Sequence, residues 1–203
     1  MADMVLITNV NDLPGIQQAH GHATKLRRIT KVAAPIFYGT SVITPEAKDQ
    51  RTGEPLTTTE AAALVEDKRV VVVDDGPTLT MAYGAGYVMA KNLGADEIED
   101  PRPFAKGSLV ETFKKFPHTK NVLPAMGYDN EQVHDLQETI RATKCDTVVI
   151  GTPIDLGALI NPCDKASVVA QYNLAVVPEH VEGFDKALDS FYERYYRTHH
   201  HAA

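Results

Sequence analysis

Hydrophobic residues in this chain gather in short runs, and polar stretches with helical spacing separate them. Met4 to Ile7 is an apolar run closed by Asn9, Asn11 and Asp12, which predicts a buried strand and then a turn. Leu13 to Ile29 predicts a helix with Pro14 near its start, and Ala34 to Ile43 a strand. Residues 44–58 are rich in Pro, Gly, Thr and charge, and predict an exposed loop or linker, followed by a short helix from Glu60 to Val65.

From there the pattern becomes regular. Arg69 to Asp74 reads RVVVVD, a continuous β-branched run of the kind a strand shows when both faces are covered. A glycine-rich loop leads into a helix from Ala85 to Leu93, and Asp96 to Glu99 predicts a strand. Leu109 to Phe116 predicts a helix, Val122 to Ala125 a short strand, and Asn130 to Thr143 an amphipathic helix with Val133, Leu136 and Ile140 on one face. Asp146 to Ile150 (DTVVI) is a second run for a fully buried strand, Ser167 to Val177 a third extended stretch, and Val181 to Tyr196 a final helix. Strand and helix alternate, so the expected class is α/β: a mostly parallel, Rossmann-like sheet with helices on both faces, RVVVVD and DTVVI being adjacent or near-adjacent central strands. The expected division is residues 1–58 and a C-terminal α/β domain over residues 59–203.

Composition narrows the function classes. The chain has 203 residues, 43% of them hydrophobic, enough for a sizeable core. Its formal net charge of −7 opposes a general nucleic-acid role, because phosphate contacts dominate that affinity. No run approaches the roughly 18 apolar residues of a membrane span, and Met1-Ala2-Asp3 lacks the basic region of a leader. Cys145 and Cys163 stand alone, without CxxC or zinc spacing, which fits a soluble protein of a reducing compartment, cytoplasm or organelle matrix.

Candidate chemistry lies where loops leave the carboxyl ends of parallel strands. In the loop after RVVVVD, glycines such as Gly76, Gly84 and Gly86 let backbone amides approach an anion, with Thr78 and Thr80 adding hydroxyls, or, equally, make a tight turn that packs helix on sheet. Asp74 is a candidate magnesium ligand there, and Asp75 a second ligand-binding carboxylate. In the loop from Asp100 to Ser108, Arg102 and Lys106 are candidate anion contacts or, equally, parts of a solvated surface turn. After DTVVI, Thr152 is a candidate phosphate contact and Asp155 a metal or hydroxyl ligand or, equally, a helix cap. Three such loops on one side of a sheet would surround one crevice and hold a small phosphate or carboxylate. No nucleophilic triad is visible, and the histidines His20, His22, His118, His134 and His180 read as exposed or structural.

The phrases VVVVDDGPTLT, AYGAGY, DPRPFAKGS, VLPAMGYDNEQ and VVIGTPIDL occur in one order, and together they resemble the C-terminal region of cyclic 2,3-diphosphoglycerate synthetase and related P-loop GTPases. The resemblance is close over residues 69–160. It implies a nucleotide-dependent, ligase-like enzyme of greater length, working with magnesium and ATP or GTP, in which residues 1–58 are the end of a P-loop nucleotide domain plus a linker. Asn9, Asn11 and Asp12 then fall where relatives carry a guanine-recognising NKxD motif, here without its lysine. The 203 residues contain no GxxxxGK[ST], so hydrolysis of ATP or GTP is not expected of this chain alone, and no cofactor either. A second copy or a separate polypeptide would complete it.

The chain also departs from the pattern it resembles. Relatives carry His-Gly-Gly between TLT and the methionine, where Thr80 here runs straight into Met81. Their arginine after GTPIDL is replaced by Gly157-Ala158, and a basic strand has become Val169-Ala170-Gln171-Tyr172-Asn173-Leu174. A pocket for a multiply charged phosphate needs such cations. The alternative class is therefore a non-catalytic structural or regulatory subunit of a larger assembly.

Overall fold

The computed structural model describes residues 4–8, 20–25, 27, 34–49, 52–75, 84–119, 121–125, 129–152 and 165–200. The strands are β1 (Val5–Ile7), β2 (Ile36–Glu46), β3 (Arg69–Asp74), β4 (Glu97–Ile98), β5 (Val122–Pro124), β6 (Thr147–Gly151) and β7 (Ala166–Val176). The helices are α1 (Thr58–Ala63), α2 (Ala85–Asn92), α3 (Ser108–Lys115), α4 (Asn130–Ala142) and α5 (Val181–His200). Strands pair in the order β1-β2-β7-β6-β3-β4, with β5 also on β3. This is the expected α/β class with a mostly parallel sheet. The β2 strand runs on to Glu46, into residues read from sequence as loop, and Lys48 and Pro55 bridge in the turn beyond it. Most of the helix expected over 13–29, including Asn11 and Asp12 just before it, lies outside the described residues.

The chain divides into two compact units, Met1–Val42 with Asn173–Ala203, and Ile43–Tyr172. In the larger unit β3 is central. It pairs in parallel with β6 along Val70 to Asp74, as the two β-branched runs imply. Its other side is shared: β4 pairs with Arg69 and Val70, and β5 takes over from Val72 to Asp74. The side-chain period of two then sorts the valines. Val71 and Val73 pack with Leu109, Phe113, Leu136 and Ile140 of α3 and α4. Val70 and Val72 pack with Ala61 and Val65 of the α1 region and with Met89 and Ala90 of α2. Two apolar layers on one sheet are what an unbroken valine run demands.

Local signals set the helix starts. Thr57 and Glu60 form a reciprocal capping box on α1, and Asp129 caps α4 by accepting from Gln132 N–H. Before α3 the cap residue is Gly107, whose φ of +46° favours glycine. Its missing side chain leaves room for Asp135 of α4, which accepts from both Ser108 N–H and Ser108 Oγ at 2.8 Å.

In the smaller unit, β1 lies parallel to the first residues of β2, Val5 opposite Ile36. The turn Pro178–His180 brings His180 over β2, where its Nδ1 accepts the Tyr38 N–H at 3.0 Å. Nδ1 therefore carries no proton, and His180 is structural, as the sequence reading preferred. Phe184 on α5 meets Phe37 edge to face at 5.4 Å.

Replacing His180 by Phe keeps a ring but leaves the Tyr38 N–H without its acceptor. We expect a loss of about 1–3 kcal/mol in denaturant unfolding. His22→Ala, at an exposed position, stays within about 0.5 kcal/mol. Equal effects at both positions would contradict the assignment.

Candidate functional site

Asp74 ends β3 on the face that carries Val70 and Val72, so its side chain points beneath the first turn of α2. It has no exposed surface. A carboxylate so placed must find donors. The open amides of the helix start supply them: Gly86 N–H reaches Oδ1 at 2.8 Å, while Gly84 and Tyr87 N–H reach Oδ2 at 3.1 and 3.2 Å. The cap residue Gly84 provides no side chain, so Asp74 caps α2 from across the fold.

Glycines make this approach possible. Gly151 lies opposite Asp74 in the β6 register. A Cβ on Gly151 would sit 1.9 Å from Asp74 Oδ1 and 2.2 Å from Gly86 N. One on Gly84 would sit 2.5 Å from the Asp74 carboxyl carbon. Three glycines and one buried acid thus form a closed packing unit at the carboxyl ends of β3 and β6. The neighbouring Thr152 is buried, and Asp75 is exposed at the bend that follows β3.

Burial raises the Asp74 carboxyl above its ordinary value of 3.8. The amides of Gly86, Tyr87 and Gly84 pull the other way, and the charge of Asp75 adds to the rise.

The residues expected to surround one anion pack on different elements. Gly84, Gly86 and Asp74 do meet, but the amides are directed at Asp74 itself. Arg102 and Lys106 belong to the other side of the sheet. The β4 strand leaves β3 level with Val70, and the loop then packs on the α3/α4 layer: Ala105 joins that core and Lys106 N–H donates to Thr139 Oγ1 of α4 at 3.0 Å. Arg102 is paired with Asp100, Nε at 2.8 Å from Oδ1 and Nη2 at 2.6 Å from Oδ2, a fork that raises the Arg102 pKa and lowers that of Asp100. Gly76, Thr78, Thr80, Asp155, Asn9, Asn11 and Asp12 lie outside the described residues.

Asp74, the expected magnesium ligand, is buried, and three amides donate to its two oxygens. Among the described residues no cluster of three His, Cys, Asp or Glu side chains could hold a metal. The Asp135 clamp on α3 was missed from sequence; its only signal is the glycine immediately before a helix start, which says nothing of the distant partner.

Two outcomes follow from the packing unit. Gly151→Ala should cost about 3 kcal/mol or more in unfolding, because carboxylate and backbone would both have to shift. Gly21→Ala, which meets nothing within 4 Å, should not destabilise. Because folded Asp74 holds its proton more tightly than the unfolded chain does, its contribution is full below about pH 3.8 and is lost as pH rises through the raised folded value. Wild type should therefore lose stability relative to Asp74→Asn as pH increases across that window. A difference that is flat or rises with pH would contradict the burial account.

No protein-family model matches the chain, and no solved structure matches it significantly. A curated protein does: the chain is 40% identical over 181 residues to arginine synthetase ArcE of Thermococcus kodakarensis, a match that covers 85% of this chain and 36% of the relative. The chain thus spans about a third of the length of the curated relative it matches. That relative's name is of a synthetase, in agreement with the enzyme class the motifs resemble; it makes no mention of a diphosphoglycerate. The chain is similar to one portion of a protein named arginine synthetase.

Proposed function

We propose that this chain is one portion of a nucleotide-dependent synthetase, and that the ligand at the carboxyl ends of β3 and β6 is arginine rather than a polyphosphorylated acid. The observation that carries the reading is the occupancy of the α2 amides by Asp74. An anion-binding helix start is already filled from within, and the next group outward is a second carboxylate, the exposed Asp75.

Four further points support it. The cations that relatives place in this region are absent: the inserted histidine, the arginine after GTPIDL and the basic strand. The net charge of −7 attracts a cation and repels a polyphosphate. A guanidinium offers paired donors that match a carboxylate, which is the pairing Arg102 and Asp100 already make within this chain. The name of the 40% identical relative points to the same compound.

In this reading the nucleotide and its magnesium ion are handled by another portion of the enzyme, since these residues contain no GxxxxGK[ST]. The chain's own part is to orient the guanidinium at Asp75, on a backbone that Asp74 and the three glycines hold rigid. A small phosphate or carboxylate ligand held with Arg102 and Lys106 is the competing occupant. A non-catalytic subunit, favoured by the missing cations, is the second reading.

Calorimetry separates them. We expect L-arginine to bind with a Kd on the order of 0.1–1 mM, about −4 to −5.5 kcal/mol. Asp75→Asn should weaken binding at least about fivefold, roughly 1 kcal/mol for one charge-assisted pair. Inorganic phosphate and 2,3-diphosphoglycerate should give no heat of binding. Binding of 2,3-diphosphoglycerate without arginine would restore the phosphate reading, and silence from all three would favour the non-catalytic subunit.

A further inference from the structure

The last helix carries its large apolar residues on a narrow stripe. Val181, Phe184, Leu188, Phe191 and Tyr195 recur at intervals of three, four, three and four. That spacing keeps one line of side chains against a second helix, whereas a helix that lies on a globular core shows a broader apolar face. The start of the stripe is spent within the unit: Phe184 meets Phe37 of β2 edge to face, and a Cβ on Gly183 would press on the same ring at 3.3 Å. Further along, Leu188 is 45% exposed and Phe191 39%, with Tyr192 beside them at 62%. Tyr195 continues the line and stacks on Phe191. Large apolar side chains adjacent to one another at a surface mark an interaction site.

The order of charges along the helix selects the partner. In residues 181–190, Glu182, Asp185 and Asp189 stand against Lys186. In residues 191–200, Arg194 and Arg197 stand against Glu193, and His199 and His200 follow. The helix thus runs from an acidic first half to a basic second half. A copy laid antiparallel sets each half against its opposite and opposes the two helix dipoles, whereas a parallel copy sets like against like. A surface that complements itself under a half-turn is what a two-fold pair requires. The chain as a whole carries −7, but α5 is close to balance, so a copy is not repelled there. An anionic lipid surface is a poorer occupant, because it selects a polar face rich in Lys and Arg, and in α5 the acids outnumber them.

We propose that two copies of this chain pair through antiparallel α5 helices, about a two-fold axis between Leu188 and Phe191. Leu188 and Phe191 form the apolar centre, and Tyr192 with the charged residues forms the rim. Each residue is used twice in such a pair, so one substitution removes two contacts.

Light scattering of the purified chain over a range of concentrations tests this. The expected result is a dimer that comes apart on dilution, with a Kd on the order of 10 µM. Phe191→Ser should raise that Kd at least about tenfold, a loss typical of a central aromatic anchor, and Leu188→Ser with Phe191→Ser should leave a monomer. Both positions are exposed, and circular dichroism confirms that the variants stay folded. Val110→Ser, at a comparably exposed apolar position on α3, should leave the dimer unchanged. Pulsed EPR reads the orientation, with spin labels at Glu182→Cys or at Asp189→Cys on a Cys163→Ser background. These positions lie seven apart on one face, so in an antiparallel pair their label separations differ by roughly 20 Å along the helix axis, while in a parallel pair they are equal. A monomer at every concentration, a dimer that survives the Leu188/Phe191 double variant, loss of the dimer in Val110→Ser, or equal label separations would each overturn the proposal.

Discussion

A carboxylate sealed under a helix start must be given hydrogen bonds by its surroundings, and the end of β3 is organised around meeting that demand at Asp74. The three amides that meet it come from one turn of α2. To bring them within reach, the backbone of α2 has to come down onto β6, and only glycine at positions 84, 86 and 151 allows it. The position of α2 and the close contact of two backbones both follow from the one contact. It also fixes the chemistry, because a helix start that would otherwise attract an anion is neutralised by the chain itself.

The opposite layer repeats the device. Asp135 caps α3 across Gly107, and Thr139 holds the Lys106 amide, so the loop with Arg102 is fastened to α4. Two tertiary caps thus set one helix on each face of the central strands. Arg102 is engaged by Asp100 and the α2 amides by Asp74, so both groups already have partners within the chain.

Much of this architecture is legible in the sequence, for a definable reason. A strand covered on both faces has to be apolar throughout, so RVVVVD and DTVVI announce themselves, and their parallel pairing follows from the helices between them. The terminal strand Glu97–Ile98 and the helix starts also fall near their expected places. What sequence could not supply was direction. The glycines after β3 fit an opening for a ligand and a turn that packs helix on sheet equally well, and the same residues are required for a protein carboxylate to enter, so both uses place glycine at the same positions. Nor does chain order reveal on which layer a loop will pack. Arg102 and Lys106 follow a strand that neighbours β3, but β4 departs at Val70 and β5 replaces it, which carries the loop to the α3/α4 side.

The account stands on Asp74 filling the amides of Gly84, Gly86 and Tyr87, and amide NMR shifts during titration with inorganic phosphate test this most directly. The account predicts that these three signals stay in place at phosphate concentrations up to tens of millimolar, roughly 2–3 kcal/mol of affinity at most. Saturating shifts at the three amides in the wild-type chain would show that they are open to an external anion and would contradict it.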